Sequence, residues 1–185
     1  MNIFALDSDP IVAAQSHCDK HVVKMIVEAA QMLSTAHRVL DGTEQVVIQN
    51  GRRSRQWQHA DDRLYKVAHL NHPSSIWTRE CAANYDWHYK LFSALCDEYT
   101  HRYGKVHATD TKLRNLLRWY PDHINRKTPL TPFKLAMNSF PQCIDESDPV
   151  GSYRKFYQTK QDRFKMVWTK RPVPSWFQYK STTTL

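Results

Sequence analysis

The chain has 185 residues, and its 26 Lys and Arg against 18 Asp and Glu give a net charge of +8 at pH 7 with histidine counted as neutral. Hydrophobic residues make up 41% of the chain and aromatic residues 12%, which excludes a disordered protein. The four glycines lie too far apart for a phosphate-binding loop, so P-loop and Rossmann folds are excluded. No apolar stretch reaches the ~20 residues of a membrane span. Asp7 comes too early for a signal peptide, so we expect one cytoplasmic domain over residues 1–185.

The first predicted helical region begins at Asp9-Pro10, because an acidic cap followed by proline is typical of a helix start. Apolar residues then recur at three- and four-residue spacing up to Leu40, which indicates a helix with one buried side. Gly42 ends this region. The pattern fits either one long helix or two helices joined near Ser16.

A small β-hairpin is predicted next, over about residues 44–58. Asn50-Gly51 lies between two runs of extended character, and this dipeptide favours a tight turn between antiparallel strands. Arg52, Arg53 and Arg55 follow the turn, so the tip of the hairpin should carry positive charge.

Further helices are predicted in the second half of the chain. One starts near Pro73 and continues for about 30 residues, or ~45 Å, to Gly104. A short helix and a proline-rich loop over about residues 121–147 follow, and Asp148-Pro149 opens the last helix. We therefore predict a mainly α, single-domain protein with long helices and a small β-hairpin insertion. The later helical segments are predicted at 74–104, 111–119, 133–137 and 149–167.

The four cysteines show no CxxC spacing, which argues against a disulfide framework and against a zinc ribbon. We expect reduced and mostly buried thiols at Cys18, Cys81, Cys96 and Cys143.

The charge is concentrated in the C-terminal half. Residues 1–100 carry 10 Lys and Arg against 12 Asp and Glu, whereas residues 101–185 carry 16 against 6. Aromatic residues are interspersed among these cations, and such a combination favours phosphate contacts with stacking on bases. We therefore expect a nucleic-acid partner, with Arg79, Arg52, Arg53, Arg118, Arg171, Trp176 and Tyr179 as candidate contacts.

The densest polar chemistry lies in the first helical region. On one helix, His17, His21, Lys24 and Glu28 would form a row of ~16 Å, which suits acid–base work near a phosphate, with Lys24 as nucleophile or phosphate clamp. The alternative is an ordinary helix surface with a Lys24–Glu28 ion pair. The two histidines have zinc-ligand spacing, but Cys18 stands where a metalloprotease has glutamate, so we predict no metal.

A second polar cluster, His69 to Pro73, precedes the long helix. A helix N-terminus with free N–H groups attracts phosphate, and Arg79 two turns later could add a bidentate contact. We therefore place His72 and Arg79 opposite the polar row. The alternative is that Asn71 or His72 only caps the helix.

Several segments of the chain resemble the phage pyrimidine-dimer DNA glycosylases of the endonuclease V type and their phage-encoded relatives. The likeness covers the three main helices and the C-terminal tail, but neither the hairpin nor the proline-rich loop. The segments that carry it are Asp9-Pro10, Ala13-Ala14-Gln15, His17-Cys18-Asp19-Lys20-His21, Asn71-His72-Pro73, Cys96-Asp97-Glu98-Tyr99, Tyr103-Gly104-Lys105 and the tail Lys170-Arg171-Pro172 with Trp176-Phe177-Gln178-Tyr179.

The resemblance implies an enzyme that flips a pyrimidine nucleotide out of duplex DNA and cleaves at it. Enzymes of that family attack the sugar with the amine of a small N-terminal residue, and they need a glutamate on the first helix. Here residue 2 is Asn2, which is bulky for removal of Met1. Glu28 is the glutamate of this helix, and it lies beyond the family position, near which Lys24 stands.

We therefore expect a DNA-processing enzyme with glycosylase or lyase activity on a pyrimidine nucleotide, active as a monomer in the cytoplasm of a bacterial host and without a cofactor. One alternative is a transferase that modifies pyrimidines in DNA, in which the His and Lys row would hold a leaving phosphate. The other is a non-catalytic nucleic-acid-binding protein, in which the row would be ordinary surface.

Overall fold

Six α-helices and one β-hairpin form the fold in a computed structural model, which describes residues 1–181. This confirms the predicted mainly α fold with a small hairpin. Two 3-10 helices, Pro141–Cys143 and Thr159–Asp162, lie on either side of the last α-helix. The main elements are α1 (Pro10–Ser16), α2 (Asp19–Asp41), β1 (Thr43–Gln49), β2 (Arg52–Gln58), α3 (Pro73–Glu80), α4 (Ala82–Tyr103), α5 (Ala108–Leu117) and α6 (Pro149–Gln158).

The central helix is α2, which packs against α3, α4 and α5, while α1 packs against α4. Val22, Ile26 and Leu33 lie at helical spacing on its inner side and are fully buried. Cys18 has an extended backbone between α1 and α2, with ψ at 161°. The first helical region therefore consists of two helices, the second of the two arrangements that its sequence allows.

The predicted helix over residues 74–104 is broken at Cys81, so the prediction of one continuous helix was wrong. Cys81 is extended, with φ at −155° and ψ at 162°. The polar groups at the break find partners outside the helix ladder: the Ala82 N–H donates to the Asn125 carbonyl at 2.8 Å, and the Asn84 amide donates to the Trp77 carbonyl at 2.9 Å. Neither proline nor glycine marks this break in the sequence.

The C-terminal elements also differ from their predicted bounds. No helix forms at 133–137, and the last helix does not reach residue 167. Instead, the chain after the second 3-10 helix runs extended past the start of α2, where the Asp19 N–H donates to the Val167 carbonyl at 2.8 Å and the Asp19 carboxylate accepts from the Thr169 N–H at 2.9 Å. These bonds to a distant segment replace the helical ones that local spacing predicts.

The hairpin forms as predicted, with β1 and β2 antiparallel and Gln49 opposite Arg52. Asn50 and Gly51 both have positive φ, 52° and 72°, which is the backbone of a type I′ turn. Most residues of both strands are exposed, including the arginines at the tip. The hairpin therefore projects from the helical body and contributes little to the core.

Gly42 joins α2 to the hairpin at a point of close backbone approach. A β-carbon at Gly42 would lie 2.3 Å from the Arg38 carbonyl oxygen and 2.5 Å from the Gln58 carbonyl oxygen. We expect Gly42→Ala to lower the free energy of unfolding by roughly 1–3 kcal/mol in urea denaturation, because both obstructing atoms belong to the backbone. Ser54→Ala, on the exposed part of β2, is the matched control, and an equal stability of the two variants would contradict this packing.

All four cysteines are free and buried, as their spacing predicts. Within residues 1–181, no helix combines the length and apolarity needed to cross a membrane.

Candidate functional site

The N-terminal residues form a buried segment that contacts both α2 and α6. The Asn2 side chain fixes it, because its oxygen accepts from the Ile3 N–H at 2.8 Å and its amide donates to the Ala136 carbonyl at 3.0 Å. Phe4 has φ at 53°, a left-handed conformation that is uncommon for a bulky residue. Its ring stacks on His21, with the ring centroids 5.0 Å apart. Packing therefore holds this segment in a conformation that costs about 1–3 kcal/mol.

An open cavity of about 400 Å³, which we call the N-terminal cavity, lies against this segment. The side chains of Phe4, Phe156 and Phe164 supply aromatic surface. The charged side chains of the cavity are the cations Lys20, Lys24, Lys160 and Arg163 and the anion Glu28, and Met1 lines it as well. Such a combination of cations and rings suits a ligand that carries both a phosphate and a planar group.

Glu28 is shielded from solvent within the N-terminal cavity. Its Oε2 accepts a hydrogen bond from the Asn2 backbone N–H at 3.1 Å, and its Oε1 lies 3.4 Å from the Lys24 Nζ. The Lys24 side chain is 61% exposed. The ion pair expected for an ordinary helix surface is thus present, but it lies at the cavity, where the carboxylate can serve as a base and the ammonium can meet an anion.

His21 lines the N-terminal cavity as a neutral imidazole. Burial, and then the positive charges of neighbouring basic groups, lower its pKa to about 3. Its Nδ1 forms a hydrogen bond of 2.9 Å with the Tyr157 hydroxyl. At neutral pH His21 can therefore form a hydrogen bond with a ligand, but it carries no imidazolium proton that it could donate as a general acid.

Lys160 places a further amine in the N-terminal cavity. Its side chain follows α6 and is buried, with Nζ 3.7 Å from the centre of the Phe156 ring and 5.7 Å from that of Phe4. Burial, followed by the charges of Arg163 and Lys24, lowers the pKa of Lys160 to about 8. Within residues 1–181, no carboxylate forms a salt bridge with this ammonium.

The predicted row of four side chains on one helix is not formed, because His17 lies in the junction between α1 and α2. It is fully buried, its Nδ1 bonds the Ala13 carbonyl at 2.7 Å, and burial lowers its pKa to about 4. It does not line the N-terminal cavity. The other three members, His21, Lys24 and Glu28, do line it.

His72 caps α3, as the simpler of the two interpretations expects, because its Nδ1 accepts from the Ser74 N–H at 3.2 Å. Burial, and then the charge of the Met1 amino group, lower the pKa of His72. His72, which the sequence placed opposite the polar row, does not line the N-terminal cavity. Arg79 does not line the N-terminal cavity. Its guanidinium donates to the Leu70 carbonyl at 2.8 Å and thereby holds the turn before α3.

A buried ionic network joins the helix junction to the C-terminal tail. Arg102 of α4 donates to the His17 carbonyl at 2.8 Å, to the Asp19 carboxylate at 3.0 Å and to the Glu98 carboxylate at 3.0 Å. Glu98 also accepts from Arg171 at 2.5 Å. The charge of Arg171, a candidate nucleic-acid contact, is therefore already paired within the protein.

The other candidate nucleic-acid contacts differ in exposure. Trp176 is half-buried and packs edge-on against Tyr157, with centroids 6.1 Å apart, whereas Tyr179 is exposed and donates to the Met166 carbonyl at 3.2 Å. DNA contact by these side chains stays a prediction, as it does for the exposed arginines of the set, Arg52, Arg53 and Arg118.

A second cavity, of about 470 Å³, lies at the base of the hairpin and is lined in part by His59. The ligand atoms of His37, Asp41 and His59 lie within 4.8 Å of one another, a grouping that could hold a metal ion. Asp41, however, already accepts hydrogen bonds from two backbone N–H groups and from the His123 ring, and the His37 Nε2 bonds the Tyr85 hydroxyl at 2.9 Å. The His59 Nδ1 accepts from the Asp61 N–H at 2.9 Å, so each of the three residues already has a hydrogen-bond partner within the protein.

No protein-family model, curated protein or solved structure matches this chain. The chemistry of the N-terminal cavity is therefore the basis for assigning a function.

Of the residues that line the N-terminal cavity, the sequence analysis chose His21, Lys24 and Glu28 as functional and did not choose Lys160 or the others. Lys160 nevertheless lies at helical spacing from Phe156 and Phe164, so it occupies a position in an apolar stripe where lysine is unusual. That position is a usable signal of a functional amine. No comparable signal marks Asn2, Phe4 or Arg163, because their placement depends on contacts between distant segments.

Proposed function

We propose that this protein is a DNA-processing enzyme that acts on a pyrimidine nucleotide with glycosylase or lyase chemistry in the N-terminal cavity. The observation that carries the proposal is the lining of that cavity, with four cations, one shielded carboxylate and aromatic walls. A cavity of about 400 Å³ falls within the size range of small-ligand sites. A flipped nucleotide offers both a phosphate for the cations and a base for the rings.

The same residues supply the groups that cleavage at the sugar needs. An amine that attacks C1′ of the opened sugar forms an imine and releases water. The imine acidifies the C2′ proton, Glu28 accepts that proton, and the 3′-phosphate leaves with the C3′–O bond electrons. Lys24 and Arg163, at the exposed side of the cavity, are placed to stabilise phosphate charge.

A pyrimidine-modifying transferase on the same scaffold is the second candidate, because exposed cations such as Lys24 would also hold a leaving phosphate. A binding protein without catalytic activity is the third. It explains the net positive charge, but it gives no role to a shielded carboxylate and a buried amine that share one cavity.

The proposal is tested with short duplexes that contain either an abasic site or a pyrimidine dimer. We expect strand cleavage, a covalent protein–DNA adduct on addition of borohydride, and an affinity whose logarithm falls with log salt by about 0.9 for each phosphate contact. Lys24→Met should weaken binding, whereas Lys90→Met, an exposed change on α4, should not.

Binding without cleavage or adduct on either duplex would favour the non-catalytic protein. A gain in the mass of the bases without strand cleavage, when a donor of the transferred group is added to the duplex, would favour the transferase.

A further inference from the structure

We propose that Lys160 is the imine-forming nucleophile of the N-terminal cavity, for an aldehyde substrate that carries a phosphate close to the carbonyl. The opened sugar of an abasic nucleotide is such a substrate, and for DNA this inference rests on the proposed function. It adds the identity of the attacking amine, which the cavity lining alone does not determine.

The placement of Lys160 separates it from an ordinary surface lysine. The residue is 9% exposed, yet it lines the cavity, so the amine is shielded from bulk water while a ligand can reach it. Its Nζ lies within 6 Å of the ring centres of Phe4, Phe140 and Phe156, at 5.7, 5.6 and 3.7 Å. Aromatic rings stabilise an ammonium group much less than a carboxylate does. This environment therefore allows both the charged and the neutral form of Lys160.

The two cations that face Lys160 favour its neutral form. Lys24 approaches from α2, as does His21, and Arg163 directly follows the 3-10 helix that carries Lys160, whereas the Cys143 thiol on the other 3-10 helix favours the charged form. Two of these groups are cations, and the imidazole is neutral. An amine with a pKa of about 8 is partly deprotonated at neutral pH, and only the deprotonated form attacks a carbonyl.

Imine formation at Lys160 needs no reactant other than the amine and the aldehyde. The Nζ lone pair forms a bond to the carbonyl carbon, and the carbonyl oxygen takes up protons released by the amine. Loss of this oxygen as water leaves a protonated imine, so an ammonium and an aldehyde become an iminium and one water. Lys20, Lys24 and Arg163 surround the cavity and would hold the phosphate of the substrate.

A purely structural role for Lys160 makes a different prediction. If the side chain only placed a positive charge among the rings, arginine would supply the same charge and methionine would fill the same space. Lys160→Arg therefore separates the two roles, because a guanidinium keeps its charge and does not form an imine.

The first experiment uses pyridoxal 5′-phosphate, an aldehyde that carries a phosphate, with borohydride at pH 7 and peptide mapping of the folded wild-type protein. We expect the label at Lys160 to exceed that at any other lysine by roughly tenfold or more, and to increase as pH rises towards 8. Pyridoxal without the phosphate should label Lys160 less, and inorganic phosphate should protect it. Labelling in proportion to exposure, with no excess at Lys160, would overturn the inference.

The second experiment repeats borohydride trapping with the abasic duplex on three variants whose melting curves are recorded. Lys160→Arg and Lys160→Met should both lose the adduct, and Lys155→Met, an exposed change on α6, should keep it. An adduct that maps to a different amine would overturn the role of Lys160 and leave the proposed function in place. Phosphate-sensitive labelling of Lys160 without any DNA adduct would support the reactive amine and count against DNA as the substrate.

Discussion

Replacing Arg102 with methionine should lower the free energy of unfolding by about 3–5 kcal/mol, because it removes a cation from a buried ionic network and leaves its carboxylates behind. The Arg102 side chain is fully buried and donates to two carboxylates and to the carbonyls of Gln15 and His17. Burial alone would raise the pKa of Glu98, but hydrogen bonds and charges from Arg171 and Arg102 outweigh it and lower that pKa. Without Arg102, the carbonyls at the helix junction also lose their donor.

Urea denaturation of Arg102→Met beside Arg118→Met measures this effect. Arg118 is exposed, with its guanidinium 5.4 Å from the centre of the Trp119 ring, so its replacement should change stability by no more than about 0.5 kcal/mol. Equal losses in the two variants would show that the network does not hold the junction of α1 and α2.

Glu28→Gln should reduce the rate of strand cleavage at an abasic site by about 10²- to 10⁴-fold, the usual contribution of a general base. The substitution removes a negative charge but keeps an oxygen that can accept from the Asn2 N–H, so the N-terminal segment should stay in place. The measurement is the single-turnover rate with enzyme in excess, which separates the chemical step from product release.

Glu80→Gln is the control for this prediction, because Glu80 is an exposed carboxylate at the end of α3. A rate for Glu28→Gln within twofold of that control would remove Glu28 from the reaction. Loss of DNA binding together with the rate would instead assign the carboxylate to positioning of Lys24.

Fold class and hairpin could be predicted because their signals are local. Asn50-Gly51 specifies its turn, and the apolar spacing of α2 specifies its buried side. The break at Cys81 could not be predicted, because it depends on the carbonyl of Asn125, a residue distant in the chain. The same holds for the end of the last helix, where pairing with Asp19 replaces helical bonds.

Only part of the candidate site could be predicted from the sequence. His21, Lys24 and Glu28 share one helix, so their grouping followed from spacing alone. His17 was misplaced because the predicted row assumed one continuous helix, whereas the chain forms the other arrangement, with His17 and Cys18 between two helices. The other half of the cavity comes from the N-terminal segment and from the region after α6, which meet α2 only in the folded chain.

The burial of the four thiols makes the cysteines internal reporters of local opening. Burial raises the pKa of Cys96 to about 12, so its reactive thiolate is scarce at pH 7 in the closed state. A thiol reagent therefore reacts at a rate set by how often each region exposes its cysteine. Cys18 samples the junction of α1 and α2, Cys81 the break between α3 and α4, and Cys143 the first 3-10 helix. The alkylation rate of each cysteine therefore gives the free energy of local opening of its region, without any substitution.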